Sequence, residues 1–158
     1  MKTIILSVLC SIFCFTCFAQ QIPTDSLYLG QVPPGYEPKI FVLPVNGNLR
    51  PIERIAISSD GKEIYYGQLN GYPPSVSKIF CYRYYENKWQ GPFELFSGYI
   101  APALTPNDSI MYVQANITYD IARTYYSRRT GSGWSTPVQM FYFSQQSHYT
   151  QATSLNNL

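Results

Sequence analysis

One histidine, His148, serves a chain of 158 residues, and of its four cysteines three (Cys10, Cys14 and Cys17) crowd near the N-terminus. A zinc site has almost nothing to be built from. Nucleophilic catalysis fares no better: no G-x-S-x-G elbow occurs, and His148 lies in a polar C-terminal segment where it reads as an exposed loop residue. Charge is also sparse. Charged residues make up 13% of the chain, both signs are interspersed, and the formal net charge is +2, one unit of which is Lys2. That balance gives no electrostatic case for nucleic acid or an anionic membrane as partner. The carboxylates Asp25, Asp60, Asp108 and Asp120 lack calcium-loop spacing. Glu53 and Glu63 stand on either side of a hairpin, and nothing in their spacing makes them a catalytic pair. No catalytic residue, metal ligand or cofactor-binding residue is therefore assigned, and no cofactor is expected.

The long apolar run is confined to the N-terminus. Lys2 is followed by an uncharged stretch from Thr3 to Phe18 and a small residue, Ala19, before Gln20-Gln21. This is the grammar of a secretory signal peptide over 1–19, cleaved after Ala19. The stretch is shorter than the roughly 20 residues of a spanning helix and has no stop-transfer flank, so no membrane span is expected after cleavage. The expected location is secreted, periplasmic or cell-envelope. Cys17 lacks the small preceding residue of a lipid-bearing cysteine, and cleavage leaves only Cys81. The chain then enters an oxidising compartment with no intramolecular disulfide, and its stability has to come from a core or from partners.

What is abundant is aromatic: 15 Tyr and 9 Phe, in runs such as Tyr82-Arg83-Tyr84-Tyr85. No helical period occurs. Short aromatic and β-branched runs, punctuated by Gly, Pro, Asn and Asp, predict an all-β chain of short strands and tight turns. A cassette recurs within it. Ile57-Ser58-Ser59-Asp60-Gly61-Lys62-Glu63-Ile64-Tyr65-Tyr66 closes with Trp89-Gln90-Gly91-Pro92, and Leu104-Thr105-Pro106-Asn107-Asp108-Ser109-Ile110-Met111-Tyr112 closes with Trp134-Ser135-Thr136-Pro137. The tyrosines Tyr65 and Tyr112 are 47 positions apart and the tryptophans 45, the period of a four-stranded propeller blade.

The first repeat reads as strands at Arg54 to Ser58, Glu63 to Gln68, Lys78 to Tyr85 and about Phe93 to Phe96. The second reads as Ala101 to Leu104, Ser109 to Gln114, Arg123 to Arg129 and Trp134 to Phe143. The fold class is a partial β-propeller. Its expected divisions are a lead-in at 20–52, a first blade at 53–97, a second at 98–144, and the first strand of a third blade at 145–158, which stops in mid-hairpin at Asn156-Asn157. Tyr28 to Phe41 is a candidate strand to cover an open edge. An unclosed array exposes a blade face and a strand edge, so marginal stability and self-association are expected.

Ser58-Ser59-Asp60-Gly61-Lys62-Glu63-Ile64-Tyr65-Tyr66 resembles the serine-proline-aspartate-glycine-lysine turn of the WD-like repeats in TolB-type periplasmic proteins, and Tyr28 to Phe41 looks like the lead-in of secreted bacterial chains that carry them. The resemblance implies the fold over Tyr28 to the C-terminus. It implies no activity, because the fold hosts binding platforms and enzymes alike. Two positions depart from the pattern: Ser59 stands where proline is usual, and Asn107-Asp108 replaces Asp-Gly.

A sialidase reading fails on the turn, which lacks the spacer between Asp60 and Gly61, and on the want of three clustered arginines. Asp60 reads as a turn former. Trp89 and Trp134 read either as sugar-stacking platforms or, better given their repeat-locked positions, as pins between one blade and the next. Asn107-Asp108-Ser109 and Asn116-Ile117-Thr118 match the N-glycosylation pattern, and Asp25-Ser26-Leu27 and Asp108-Ser109-Ile110 a bacterial O-glycosylation pattern. The function expected is a non-catalytic module that binds a protein or carbohydrate partner. The alternative is the truncated remnant of a propeller-containing hydrolase.

Overall fold

The structure, a computed structural model, describes residues 21–45, 47–115 and 122–140. The expectations for 1–19, Asn116, Asp120, His148 and 145–158 lie outside the described residues. Two antiparallel sheets make up the fold. The first holds β1 (Arg50–Ile57), β2 (Glu63–Leu69), β3 (Ser77–Tyr85) and β4 (Lys88–Ser97) in chain order. The second holds β5 (Ile100–Leu104), β6 (Ile110–Ala115), β7 (Arg123–Thr130) and β8 (Gly133–Trp134), with β9 (Val138–Gln139) also paired to β7. Each sheet is one up-and-down blade, and the pair is a partial propeller. No helix among the described residues is long and apolar enough to cross a membrane.

The two hairpin turns that open the blades are the same object built twice. In the first, the Ser58 hydroxyl donates to Asp60 Oδ1 (2.7 Å) and accepts from the Glu63 N–H (2.9 Å), while the Lys62 N–H donates to the same Asp60 oxygen (3.0 Å). In the second, the Thr105 hydroxyl donates to Asn107 Oδ1 (2.8 Å) and accepts from the Ile110 N–H (3.1 Å), and the Ser109 N–H donates to Asn107 Oδ1 (3.2 Å). The left-handed position that closes each turn is Gly61 (φ 73°) in one and Asp108 (φ 55°) in the other. This matching aligns Ser58 with Thr105, Ser59 with Pro106, Gly61 with Asp108, Ile64 with Met111 and Tyr66 with Val113.

Alternation then sorts side chains to the two faces of each blade. Almost every residue of β2 is buried, so this strand is covered on both sides. On one face Tyr65, Ile79 and Cys81, with Ala56, pack against Met111 and Val113 of the second blade, with Trp134 and Tyr125 closing over them. On the other, Ile64, Tyr66, Phe80 and Tyr82 pack against Leu29, Phe41 and Leu43 of the lead-in, with Trp89. Strand β5 crosses close to β1 and β2. Gly67 permits that approach, since a Cβ there would lie 3.4 Å from both the Ile100 Cβ and the Ala101 nitrogen.

Three expectations are corrected in detail. The fourth strand of the first blade begins at Lys88, ahead of Gly91-Pro92, because the register shifts between Cys81 and Arg83 and lets the proline sit in a bulge. The fourth strand of the second blade is not one run from Trp134 to Phe143 but two short pieces, β8 and β9. Between them the Ser135 hydroxyl takes the Arg128 N–H (3.0 Å), which the ladder would otherwise use. The lead-in forms a 3-10 turn at Thr24–Gly30 and then runs on without a strand, covering a face of the first blade and not an edge.

Candidate functional site

The two turns face one another across the blade junction, above a polar cleft of about 700 Å³. Its floor is ionic. Glu63 heads β2 directly opposite Arg83 on β3, and both side chains lie on the face turned to the second blade. From that blade Arg129 donates through Nη2 to Glu63 Oε2 at 2.6 Å, and the Tyr65 hydroxyl donates to the same oxygen at 2.7 Å. Arg83 Nε stands 3.5 Å from Glu63 Oε1. The Trp134 indole N–H donates to the Tyr65 oxygen (3.1 Å), its ring meets Tyr65 edge-on, and the Arg129 guanidinium lies 4.5 Å above the indole centre.

A second set of bonds joins the turns themselves. The Asp108 carboxylate accepts from the Ser59 N–H (2.8 Å) and from the Ser59 hydroxyl (2.6 Å), and Arg129 Nε donates to the Asp108 carbonyl (2.9 Å). Ser59 and Asp108 are the two positions that depart from the repeat pattern, and they are each other's partners. A proline at 59 has no N–H to give, and a glycine at 108 has no carboxylate to receive it.

Environment fixes the chemistry of these groups. Burial drives the Tyr65 phenol far above its ordinary value, and the Glu63 carboxylate adds to the rise while the Trp134 N–H opposes it. A fully buried phenol that donates to a carboxylate is no nucleophile. Burial works against the charge on Arg129, but the Glu63 carboxylate outweighs it and the guanidinium is held more firmly protonated than usual. Partial burial would raise the Asp60 carboxyl, yet the Ser58 hydroxyl, the Lys62 N–H and the Lys62 ammonium bring it below its ordinary value. Cys81 is 1% exposed and burial pushes its thiol up, away from reactivity. Among the described residues no group of three or more His, Cys, Asp or Glu side chains is placed to share a metal ion.

The residues singled out from sequence are placed as follows. Asp60 forms its turn. Glu53 lies at an irregularity in β1 and lines a separate depression with Phe41 and Tyr66, apart from the Glu63 cleft. Trp89 and Trp134 do pin blades, but backward: Trp134 packs on the preceding blade, and Trp89 packs on the lead-in and donates to the Ser26 carbonyl at 2.6 Å. Asn107 Oδ1 is engaged in its turn, with the Ser109 hydroxyl among its donors (2.7 Å). Sequence reasoning passed over Arg83 and Arg129. Their signal was parity, since each alternates with the inward residues of its own strand and so falls on the face that buries Glu63. At the rim of the cleft Lys62, Arg83, Gln90, Tyr85 and Phe93 face outward, a mixed cationic and aromatic surface. Compared with known protein families, with curated proteins and with solved structures, the chain matches none of them.

Proposed function

We propose that this chain is a secreted, TolB-like propeller-repeat module that binds a protein or carbohydrate partner at the blade junction and carries out no reaction. One observation carries the reading. Each of the three carboxylates that line the cleft is already bonded within the chain, Glu63 to Arg129 and Tyr65, Asp108 to Ser59, and Asp60 to its own turn. A general acid or base needs freedom to exchange a proton with substrate, and these groups hold the blades together instead. The rim has the opposite character. Arg83 keeps 41% of its side chain exposed with its Nε unbonded, beside Lys62 and the exposed rings of Tyr85 and Phe93. Guanidinium and ammonium groups flanked by aromatic faces suit a carboxylate-bearing glycan or an acidic peptide segment.

The test is a binding screen of the mature chain against uronate-containing glycans and acidic peptides, followed by Lys62→Ala and Arg83→Ala. Each rim substitution should weaken binding by about tenfold, in line with roughly 1 kcal/mol for a partly exposed charged contact. Loss of binding by neither variant would remove the cleft from the function. Turnover of glycoside, peptide or ester substrates by the purified chain would replace the binding reading with an enzymatic one.

A further inference from the structure

In the junction of the two blades, the forward face of the first meets the rear face of the second. The rear face consists of Met111 and Val113, with Trp134 reaching over the junction. The matched turns place Ile64, Tyr66 and Trp89 at the same three positions of the first blade, so the first blade has a rear face of the same construction. A preceding blade would dock there. The lead-in occupies it: Leu29, Phe41 and Leu43 pack on Ile64 and Tyr66. The Pro44 carbonyl accepts from the Tyr66 hydroxyl (3.1 Å) and from Gln68 Nε2 (2.7 Å), and Trp89 holds the Ser26 carbonyl.

The lead-in fills that face poorly and holds it by side chains. A cavity of about 430 Å³ remains between them, lined by Leu27, Val32, Ile40, Ile57, Ile64 and Trp89. Among the described residues no backbone-to-backbone hydrogen bond joins the lead-in to the sheet. Its two arms are instead tied to each other, with the Gln31 amide donating to the Val42 carbonyl (2.8 Å) and accepting from the Val42 N–H (2.9 Å). It is therefore a self-contained strap. Its outward side is apolar as well, with Ile40 88% and Val42 62% exposed while Phe41 and Leu43 point inward.

We propose that the strap is a displaceable plug on a blade-docking face, and that the occupant it excludes is the second blade of another copy of this chain, joined head to tail. The interior junction supplies the template. Tyr112 of the second blade aligns with Tyr65, the central forward-face residue that the rear face of Met111 and Val113 already accommodates within one chain. Each copy so added presents the same forward face again, so association runs open-ended or closes into a ring.

The experiment uses the chain from Gln20 onward with Phe41→Ser and Leu43→Ser together, sized by light scattering across a concentration series. Weakening the plug raises the fraction of chains with an open rear face, and half-association should move to concentrations at least on the order of tenfold lower. Species larger than dimers should form, and excess synthetic peptide of residues 21–45 should return them to the parent's mass. A second protein, cleaved at an inserted protease site between strap and β1, gives the same readout with no core residue changed. Unchanged mass in both proteins overturns the proposal, as do oligomers that the peptide fails to reverse. Assembly that stops at dimers also overturns it, because exchange of straps between two copies closes at two.

Discussion

If Ser59 and Asp108 are mutual partners, making each turn more like the other should hurt singly and not jointly. Ser59→Pro copies Pro106 into the first turn, and Asp108→Gly copies Gly61 into the second. The backbone accepts both, since the two turns already share one hydrogen-bond pattern. Proline at 59 removes two donors to a carboxylate, at 2.8 and 2.6 Å. Bonds to a charged group contribute roughly 1.5–3 kcal/mol when shielded. Ser59 is exposed, so about 1–2 kcal/mol for the pair is the appropriate scale. Against this, a compatible proline gains about 0.4–1 kcal/mol from the unfolded chain, and glycine at 108 relieves about 1 kcal/mol of left-handed strain. Ser59→Pro should therefore destabilise by about 1 kcal/mol with Asp108 present and become neutral to stabilising once residue 108 is glycine. Urea unfolding of the four proteins in a double-mutant cycle reads the coupling directly, with melting shifts of roughly 4 °C per kcal/mol as a check. Additivity within about 0.3 kcal/mol would refute the claim that these two positions bind one another.

Two further outcomes follow from the same structure. Gly91 holds φ 130°, and a Cβ there would sit 2.7 Å from the Cys81 carbonyl oxygen, so Gly91→Ala should cost about 3 kcal/mol or more, seen as a lowered urea midpoint. Burial pushes the Tyr66 phenol up to about 12, and Tyr65 rises as well. A raised acid leaves stability intact below the unfolded value near 10. Above it the unfolded chain ionises first, and each such phenol removes about 1.4 kcal/mol of stability per pH unit until its folded value is passed. Absorbance at 295 nm should show these two tyrosines ionising only with the cooperative loss of the β-sheet circular dichroism signal. Their ionisation near pH 10 in a folded chain would contradict their burial.

What could be read from sequence was what is local. Asp60 and Asn107 form their turns with partners within a few residues, and the alternation in β2 and β3 is fixed by the pleat, so turns and strands emerged together. The cross-blade contacts are different in kind. Glu63 and Arg129 are 66 positions apart and Ser59 and Asp108 are 49, distances over which only the packed junction sets geometry. The oddity of Ser59 and Asp108 was visible in each turn separately; their pairing was not, because nothing local says that two successive turns meet. Trp89 and Trp134 illustrate the same boundary. Their repeat-locked places mark them as pins, but the direction of the pin depends on which face each strand turns inward, and the bulge at Gly91-Pro92 intervenes.

Glu63→Gln tests most directly whether the junction charges hold the blades or act on a substrate. The substitution keeps the shape, takes the charge from between Arg83 and Arg129, and weakens the bonds of a side chain only 18% exposed. Measured together, urea unfolding and turnover against glycoside, peptide and ester panels should show a loss of about 2 kcal/mol of stability and no hydrolysis by either protein. Unchanged stability, with a hydrolytic activity present in the parent and abolished by Glu63→Gln, would contradict the account.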